Sequence, residues 1–238
     1  MSAIRAVLFD AYGTLFDVYS VAARAEQLFP GKGNALALLW RDRQIDYTRL
    51  RSLAGPGGEY YKPFWDITQD ALRYAAARLE LALSETQCAQ LMKEYSCLSA
   101  FPENVGVLRQ LRAMGLPLGI LSNGNPEMLD IAVKSAGMGG LFEAVLSVEP
   151  VRLFKTAPEA YALGPATFGV PARDILFVSS NGWDACGAAW YGYTAFWINR
   201  AGHPPEQLDV VPQGTGHDMN DLLQFVREAR AGRAASAA

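Results

Sequence analysis

The chain has 238 residues, half of them hydrophobic and 19% charged, the composition of a globular protein long enough for one large domain or for a core with a small second one. A formal net charge of −3 offers no basic field to attract nucleic acid, and no apolar run reaches the length of a membrane span. Three cysteines, Cys88, Cys97 and Cys186, without a Cys-x-x-Cys spacing, argue against a disulfide framework or a zinc site and for a reducing cytoplasm.

The chain opens without a basic leader and apolar stretch, so no signal peptide is expected. Ala6-Val7-Leu8-Phe9 is a short apolar run ending at Asp10 and punctuated by Gly13. It predicts a buried parallel strand with a polar residue at its carboxyl end. From Phe16 to Ala100 no convincing strand follows. Helix-length stretches run instead over Val18–Phe29, Asn34–Ser52, Pro63–Leu81 and Ser84–Ser99. Gly-Pro-Gly-Gly at 55–58 separates two of them.

Beyond Pro102, strand and helix alternate. Strands are predicted over Leu116–Leu121, Phe142–Leu146, Ile175–Val178 and Thr194–Ile198, and helices over Glu103–Met114, Pro126–Ala136, Pro158–Phe168 and Asp184–Tyr191. The pattern predicts an α/β fold: a Rossmann-like parallel sheet core with a small helical cap inserted after the first strand. Its boundaries are a core of 1–15 and 101–230, a cap of 16–100 and a flexible tail of 231–238. The Arg-rich stretch Arg227 to Arg233 reads as a solvated helix end that frays. Ligands in such sheets sit beyond the carboxyl ends of the strands, where Asp10, Ser122, Asn123, Ser179 and Asn181 all fall. The only histidines, His203 and His217, lie in the loop-rich C-terminal region, which disfavours a mechanism centred on histidine.

A carboxylate at the end of a buried strand is costly unless polar groups pair with it. By itself Asp10 is as readily structural as catalytic. Its context is Asp10-Ala11-Tyr12-Gly13-Thr14-Leu15-Phe16-Asp17-Val18, followed by Leu39-Trp40-Arg41 with Gln44 and Tyr47, and by Phe64-Trp65. Later come Leu121-Ser122-Asn123-Gly124, Lys155 with Tyr161, Phe177-Val178-Ser179-Ser180-Asn181, Trp183-Asp184-Ala185, and Trp197 with Asn199-Arg200. From Val7 to about Phe225 the chain resembles the haloacid dehalogenase superfamily, and within it the (S)-2-haloacid dehalogenases. One departure stands out: where that family has Pro after the motif Lys, this chain has Thr156.

Most of the superfamily consists of magnesium-dependent phosphatases, which place a second Asp two residues after the nucleophile to protonate an alkoxide. Here that position is Tyr12. A departing halide is a very weak base and needs no proton. The phosphatases also cluster carboxylates at a later strand end to hold Mg²⁺, which prefers oxygen ligands. The matching stretch, Ser179 to Asp184, has one carboxylate. The resemblance therefore implies a hydrolase with no metal and no cofactor, acting on a small 2-haloacid and releasing a halide ion, without nucleic-acid or membrane partners. It also implies a homodimer.

It further implies roles. Asp10 attacks C2 and forms an ester, and Asp184 activates the hydrolytic water. Lys155 orients Asp10. Thr14, Ser179 and Asn181 orient carboxylates and water. Arg41 and Asn123 meet the departing halide. Ser122 and the amides of Ala11 and Tyr12 hold the substrate carboxylate. Tyr12, Gln44, Ile45, Phe64 and Trp183 wall the alkyl side, and Tyr161 joins the substrate contacts. Taken singly, each has a plainer reading: Thr14 or Ser179 as a loop residue, Asp184 as a helix N-cap, Arg41 as a solvated cap residue, Lys155 as a surface lysine. Trp40 and Trp65 read as cap core. A magnesium phosphatase or phosphonate hydrolase on the same fold, and a catalytically silent binding member, remain as alternatives, because fold alone does not choose among them.

Overall fold

The structure is a computed structural model and describes residues 3–237, with the backbone alone described over 233–237. β1 (Ala6–Phe9) is buried along its whole length. It is flanked by β2 (Leu118–Ser122) and β4 (Ile175–Ser179), with β3 (Ala144–Ser147) beyond β2 and β5 (Thr194–Ile198) beyond β4. β6 (Gly214–Gly216) forms the outer edge, giving six strands in the order β3-β2-β1-β4-β5-β6. Every pair is parallel. The order reverses direction at β1, which opens a crevice at its carboxyl end between the β1 and β4 loops.

Four helices lie between β1 and the next core helix: α1 (Val21–Leu28), α2 (Gly33–Leu53), α3 (Phe64–Arg78) and α4 (Glu85–Ser96). All fall within the stretch assigned to the cap. Ser84 starts α4 with a reciprocal capping box to Gln87, which satisfies two otherwise orphaned amides. The only β pairing within 16–100 is an isolated bridge between Phe16 and Ala100. With the bond from Asp17 N to Ser99 O, 2.8 Å, it ties the chain entering the cap to the chain leaving it.

The core continues through α5 (Asn104–Ala113), α6 (Pro126–Ser135), α7 (Pro158–Phe168), α8 (Gly182–Tyr191) and α9 (Met219–Ala237). Three points differ from the sequence reading. β6 is Gly-Thr-Gly, a composition with no strand signal, and only pairing with β5 makes it one. α9 runs on through 231–237, where a flexible tail was expected, because alanine is the strongest helix former; Ala238 lies outside the described residues. α8 starts at Gly182, so Asp184 sits inside its first turn and Asn181 takes the N-cap place. No helix among the described residues is long and apolar enough to cross a membrane.

Candidate active site

Asp10 follows directly on β1. Its amide donates to Val178 O across 2.9 Å, continuing the ladder onto β4, so the carboxylate stands at the crevice with 6% of the residue exposed. Three side chains meet it. Lys155 Nζ donates to Oδ1 at 3.0 Å, while Thr14 Oγ1 at 3.0 Å and Asn181 Nδ2 at 2.9 Å donate to Oδ2. Gly13 makes the turn that brings Thr14 back over Asp10; its φ of +98° is one that other residues rarely adopt. Thr14 Oγ1 also accepts the Ser180 amide at 2.8 Å, which joins the β1 and β4 loops.

Lys155 is 1% exposed and lies between two carboxylates, its Nζ also 3.0 Å from Asp184 Oδ2. Beneath it the Phe177 ring supplies a cation–π face, 4.9 Å from Nζ to the centroid. Its amide donates to Asn123 Oδ1 at 2.9 Å. The following peptide, to Thr156, is cis. Burial pulls the lysine's pKa down, but the two carboxylates outweigh it and raise it above the ordinary range, so the group is held as ammonium. Asp184 is fully buried, and burial raises its carboxyl pKa, with Lys155 and Tyr161 offsetting part of the rise. Tyr161 donates its hydroxyl to Asp184 Oδ1 at 2.7 Å. Gly187, one turn further on, leaves room for this: a Cβ there would lie 2.6 Å from the Tyr161 oxygen and 2.7 Å from Thr156 Cγ2.

The cap contributes Arg41 from α2. Its Nη2 donates to Tyr12 O at 3.0 Å and to Asn181 Oδ1 at 3.2 Å, and its Nη1 donates to Gln44 Oε1 at 2.8 Å. Tyr12 presents a buried ring, centred 5.7 Å from that of Phe64, and burial raises its hydroxyl pKa well above the usual value. Ile45, also buried, lies on α2 one turn beyond Arg41, and Arg49 on the next turn sits over the Trp183 ring at 4.9 Å. Trp40 is cap core, as expected, with Nε1 donating to Thr68 O at 2.7 Å. Trp65 is only partly buried and carries a cap-to-core bond from its amide to Asn125 Oδ1 at 3.2 Å.

Two of the expected substrate contacts, Gln44 and Tyr161, are also hydrogen-bonded within the protein. Gln44 is buried, and its amide is used by Arg41, Thr68 and Tyr95. Tyr161 is buried behind Asp184, with its hydroxyl turned onto that carboxylate. The sheet and the cap bring a polar partner to each that sequence spacing does not reveal.

Along the β1 and β2 ends the opposite holds. Among the described residues, the Ala11 and Tyr12 amides meet no protein acceptor, and the Asn123 Nδ2 group has no partner. Ser122 Oγ accepts the Gly124 amide at 3.1 Å, which leaves its own proton for another acceptor. The register Phe9↔Ile120 sets these two strand ends side by side. Together they form a row of unspent donors next to Asp10.

Arg41, Asn181, Gly13 and Trp183 also wall a cavity of about 340 Å³ that extends toward Arg200. No three His, Cys, Asp or Glu side chains converge on a metal-sized point among the described residues. The ammonium of Lys155 stands between the two carboxylates that would have to hold a cation. This donor set does not fit Mg²⁺.

The model of the haloacid dehalogenase-like hydrolases matches residues 4–192. The chain belongs to that family. It is 42% identical over 226 residues to haloacetate dehalogenase H-2 of Moraxella sp. (strain B), covering 95% of this chain and 99% of that one. It is 40% identical over 234 residues to an (S)-2-haloacid dehalogenase of Pseudomonas sp. (strain YL), covering 98% and 99%. Among solved structures, an L-2-haloacid dehalogenase superposes with a TM-score of 0.94 at 78% identity, over 95% of this chain and 100% of that one. The enzyme from Xanthobacter autotrophicus with chloropropionic acid covalently bound gives a TM-score of 0.87 at 35% identity, over 94% and 98%.

Thr68, Tyr95 and Asn104 belong to none of the motif stretches in the sequence, and Phe177 opens one without a role of its own. Asn104 is buried and donates to Thr14 O at 3.3 Å and Leu15 O at 3.0 Å, holding the nucleophile turn. The only sequence signal was a polar residue on an otherwise apolar helix face, for Thr68 and Asn104.

Proposed function

We propose that this protein hydrolyses small (S)-2-haloacids to (R)-2-hydroxyacids through a covalent ester on Asp10, without a metal. The observation that carries the reading is the Asp10 carboxylate itself. It is ionically paired with Lys155, steered by Thr14 and Asn181, and has the buried ring of Tyr12 where a leaving-group acid would stand.

Asp10 attacks C2 in line with the carbon–halogen bond, and the halide leaves with the bonding pair. Charge developing on the halide must be met by donors already in place. Arg41 and the unspent amide of Asn123 supply them. The substrate carboxylate lies on the Ala11 and Tyr12 amides and the Ser122 hydroxyl. These donors are neutral, and the one cation on the two carboxylates, Lys155, is already shared between Asp10 and Asp184. Asp184, ionised, takes a proton from water as it attacks the carboxyl carbon of Asp10. The ester bond between that carbon and the oxygen on C2 breaks, Asp184 returns its proton to this oxygen, and the 2-hydroxyacid leaves with both carboxylates regenerated. Ser179, which accepts the Asn181 amide at 3.1 Å, keeps the β4 loop in register. The helical stretch 16–100 acts as a lid whose buried aromatic lining excludes water that would blunt the nucleophile.

The direct test is halide release from 2-chloropropionate by the purified protein. Release by wild type and none by Asp10→Asn supports the reading; no release by wild type from any short 2-haloacid overturns it.

A further inference from the structure

Arg41 is the only cap cation that touches the residues holding the nucleophile, and a flexible arginine keeps one geometry only if something fixes it. Its Nη1 donates to Gln44 Oε1 at 2.8 Å. A guanidinium has no acceptor, so this contact dictates which way the Gln44 amide faces. Nε2 must then point inward, where it meets Thr68 Oγ1 at 2.6 Å and the Tyr95 oxygen at 3.1 Å. Thr68 has already given its proton to Phe64 O at 2.7 Å, so it can only accept here. The Tyr95 hydroxyl in turn donates to Gln44 Oε1 at 3.2 Å, the oxygen that also accepts from Arg41. Gln44 Oε1 is therefore shared between the Arg41 guanidinium and the Tyr95 hydroxyl, which places Tyr95 on the same oxygen that orients Arg41.

Tyr95 reaches this point from α4, on the other side of the cap from α2. Its buried ring stacks on Tyr12 with centroids 5.7 Å apart and planes at 17°. Tyr12 in turn offers its carbonyl to Arg41 Nη2 at 3.0 Å. One tyrosine thus bears on Arg41 from two directions: through its hydroxyl by way of Gln44, and through its ring by way of Tyr12.

We propose that Tyr95 is a positioning residue for Arg41, setting through Gln44 how well the guanidinium meets the departing halide and hence the enzyme's preference among halogens. The proposal rests on the dehalogenase reading above. Chloride needs more stabilisation on departure than bromide, so a displaced Arg41 costs the chloro substrate more.

The test is single-turnover halide release from 2-chloro- and 2-bromopropionate by wild type, Tyr95→Phe, Gln44→Leu, Arg41→Ala and the double variant Tyr95→Phe/Arg41→Ala. Tyr95→Phe removes one oxygen and keeps the ring stack. Chloride release should fall about tenfold, a fraction of what a lost transition-state donor costs. Bromide release should fall less, and KM should change little. Gln44→Leu should reproduce the halogen-dependent loss, which keeps the test alive if Tyr95→Phe folds poorly. In the Arg41→Ala background, Tyr95→Phe should cost nothing further, since coupled residues do not add. An equal loss for both halogens, or the full loss again on top of Arg41→Ala, overturns the proposal. Wild type that releases neither halide overturns the dehalogenase reading instead.

Discussion

The Arg41 guanidinium, on the cap, donates to Asn181 Oδ1 on the core across 3.2 Å, and the same Asn181 donates from Nδ2 to Asp10 at 2.9 Å. One amide therefore links the cap guanidinium to the carboxylate of Asp10, the two groups that the proposed reaction assigns to halide departure and to attack. Arg41→Ala should lower turnover by about a hundredfold or more. Arg41→Lys should recover little, because an ammonium cannot serve Tyr12 O, Asn181 and Gln44 with one planar fork. Steady-state halide release by the two variants checks this, and near-normal rates in both would return Arg41 to a structural role.

Chelation should leave activity intact. Lys155 supplies the positive charge between Asp10 and Asp184. Turnover after exhaustive dialysis against EDTA, compared with and without added Mg²⁺, is the measurement. Loss in chelator and recovery with Mg²⁺ would overturn the mechanism.

Lys155→Met should abolish turnover and destabilise the fold. It leaves two buried carboxylates facing each other without a cation, a type of change that costs about 3–5 kcal/mol. Urea denaturation measures the second effect and halide release the first. A variant as stable as wild type would mean that solvent reaches this pair.

The pH profile should follow the Asp184 and Lys155 shifts. The Asp184 pKa is raised, mainly by burial, so its base form appears only at a pH above the ordinary aspartate range near about 4. The acid limb of kcat should lie above that value. Lys155 has a raised pKa in the fold. Its contribution to stability is therefore complete below the unfolded lysine value and is lost as pH rises through the folded one. Activity should hold through neutral and mildly alkaline pH. An acid limb at or below pH 4 would exclude Asp184 as the base.

Oxygen transfer tests the ester. In H₂¹⁸O with enzyme in large excess, the first turnover should give unlabelled 2-hydroxyacid and a labelled Asp10 peptide, whereas multiple turnovers should label the product. One displacement at C2 inverts it, so the (S)-substrate should give the (R)-product. Labelled product in the first turnover would make Asp10 a general base for direct attack by water. Chiral chromatography and peptide mass spectrometry read both outcomes.

Much of this was legible in the chain itself. Ala6–Phe9 is apolar without interruption and ends in a carboxylate, and strand burial follows from that run whatever surrounds it. The helical stretches between Phe16 and Ala100 follow from equally local patterns of helix length and composition. The pairings could not be read that way. Lys155 and Asp10 are 145 residues apart, and Asn181 and Asp10 are 171 apart. They meet because β1 lies between β2 and β4 in the sheet, an order that no local pattern encodes. The same holds for the hydrogen bonds of two residues expected to contact the substrate. Gln44 and Tyr161 were polar or amphipathic side chains at promising positions. Which neighbour took their hydrogen bonds was decided by α3 packing on α2, with Tyr95 of α4 reaching the same point, and by α7 packing against α8, because a buried polar group bonds to whatever partner the tertiary packing brings within about 3 Å.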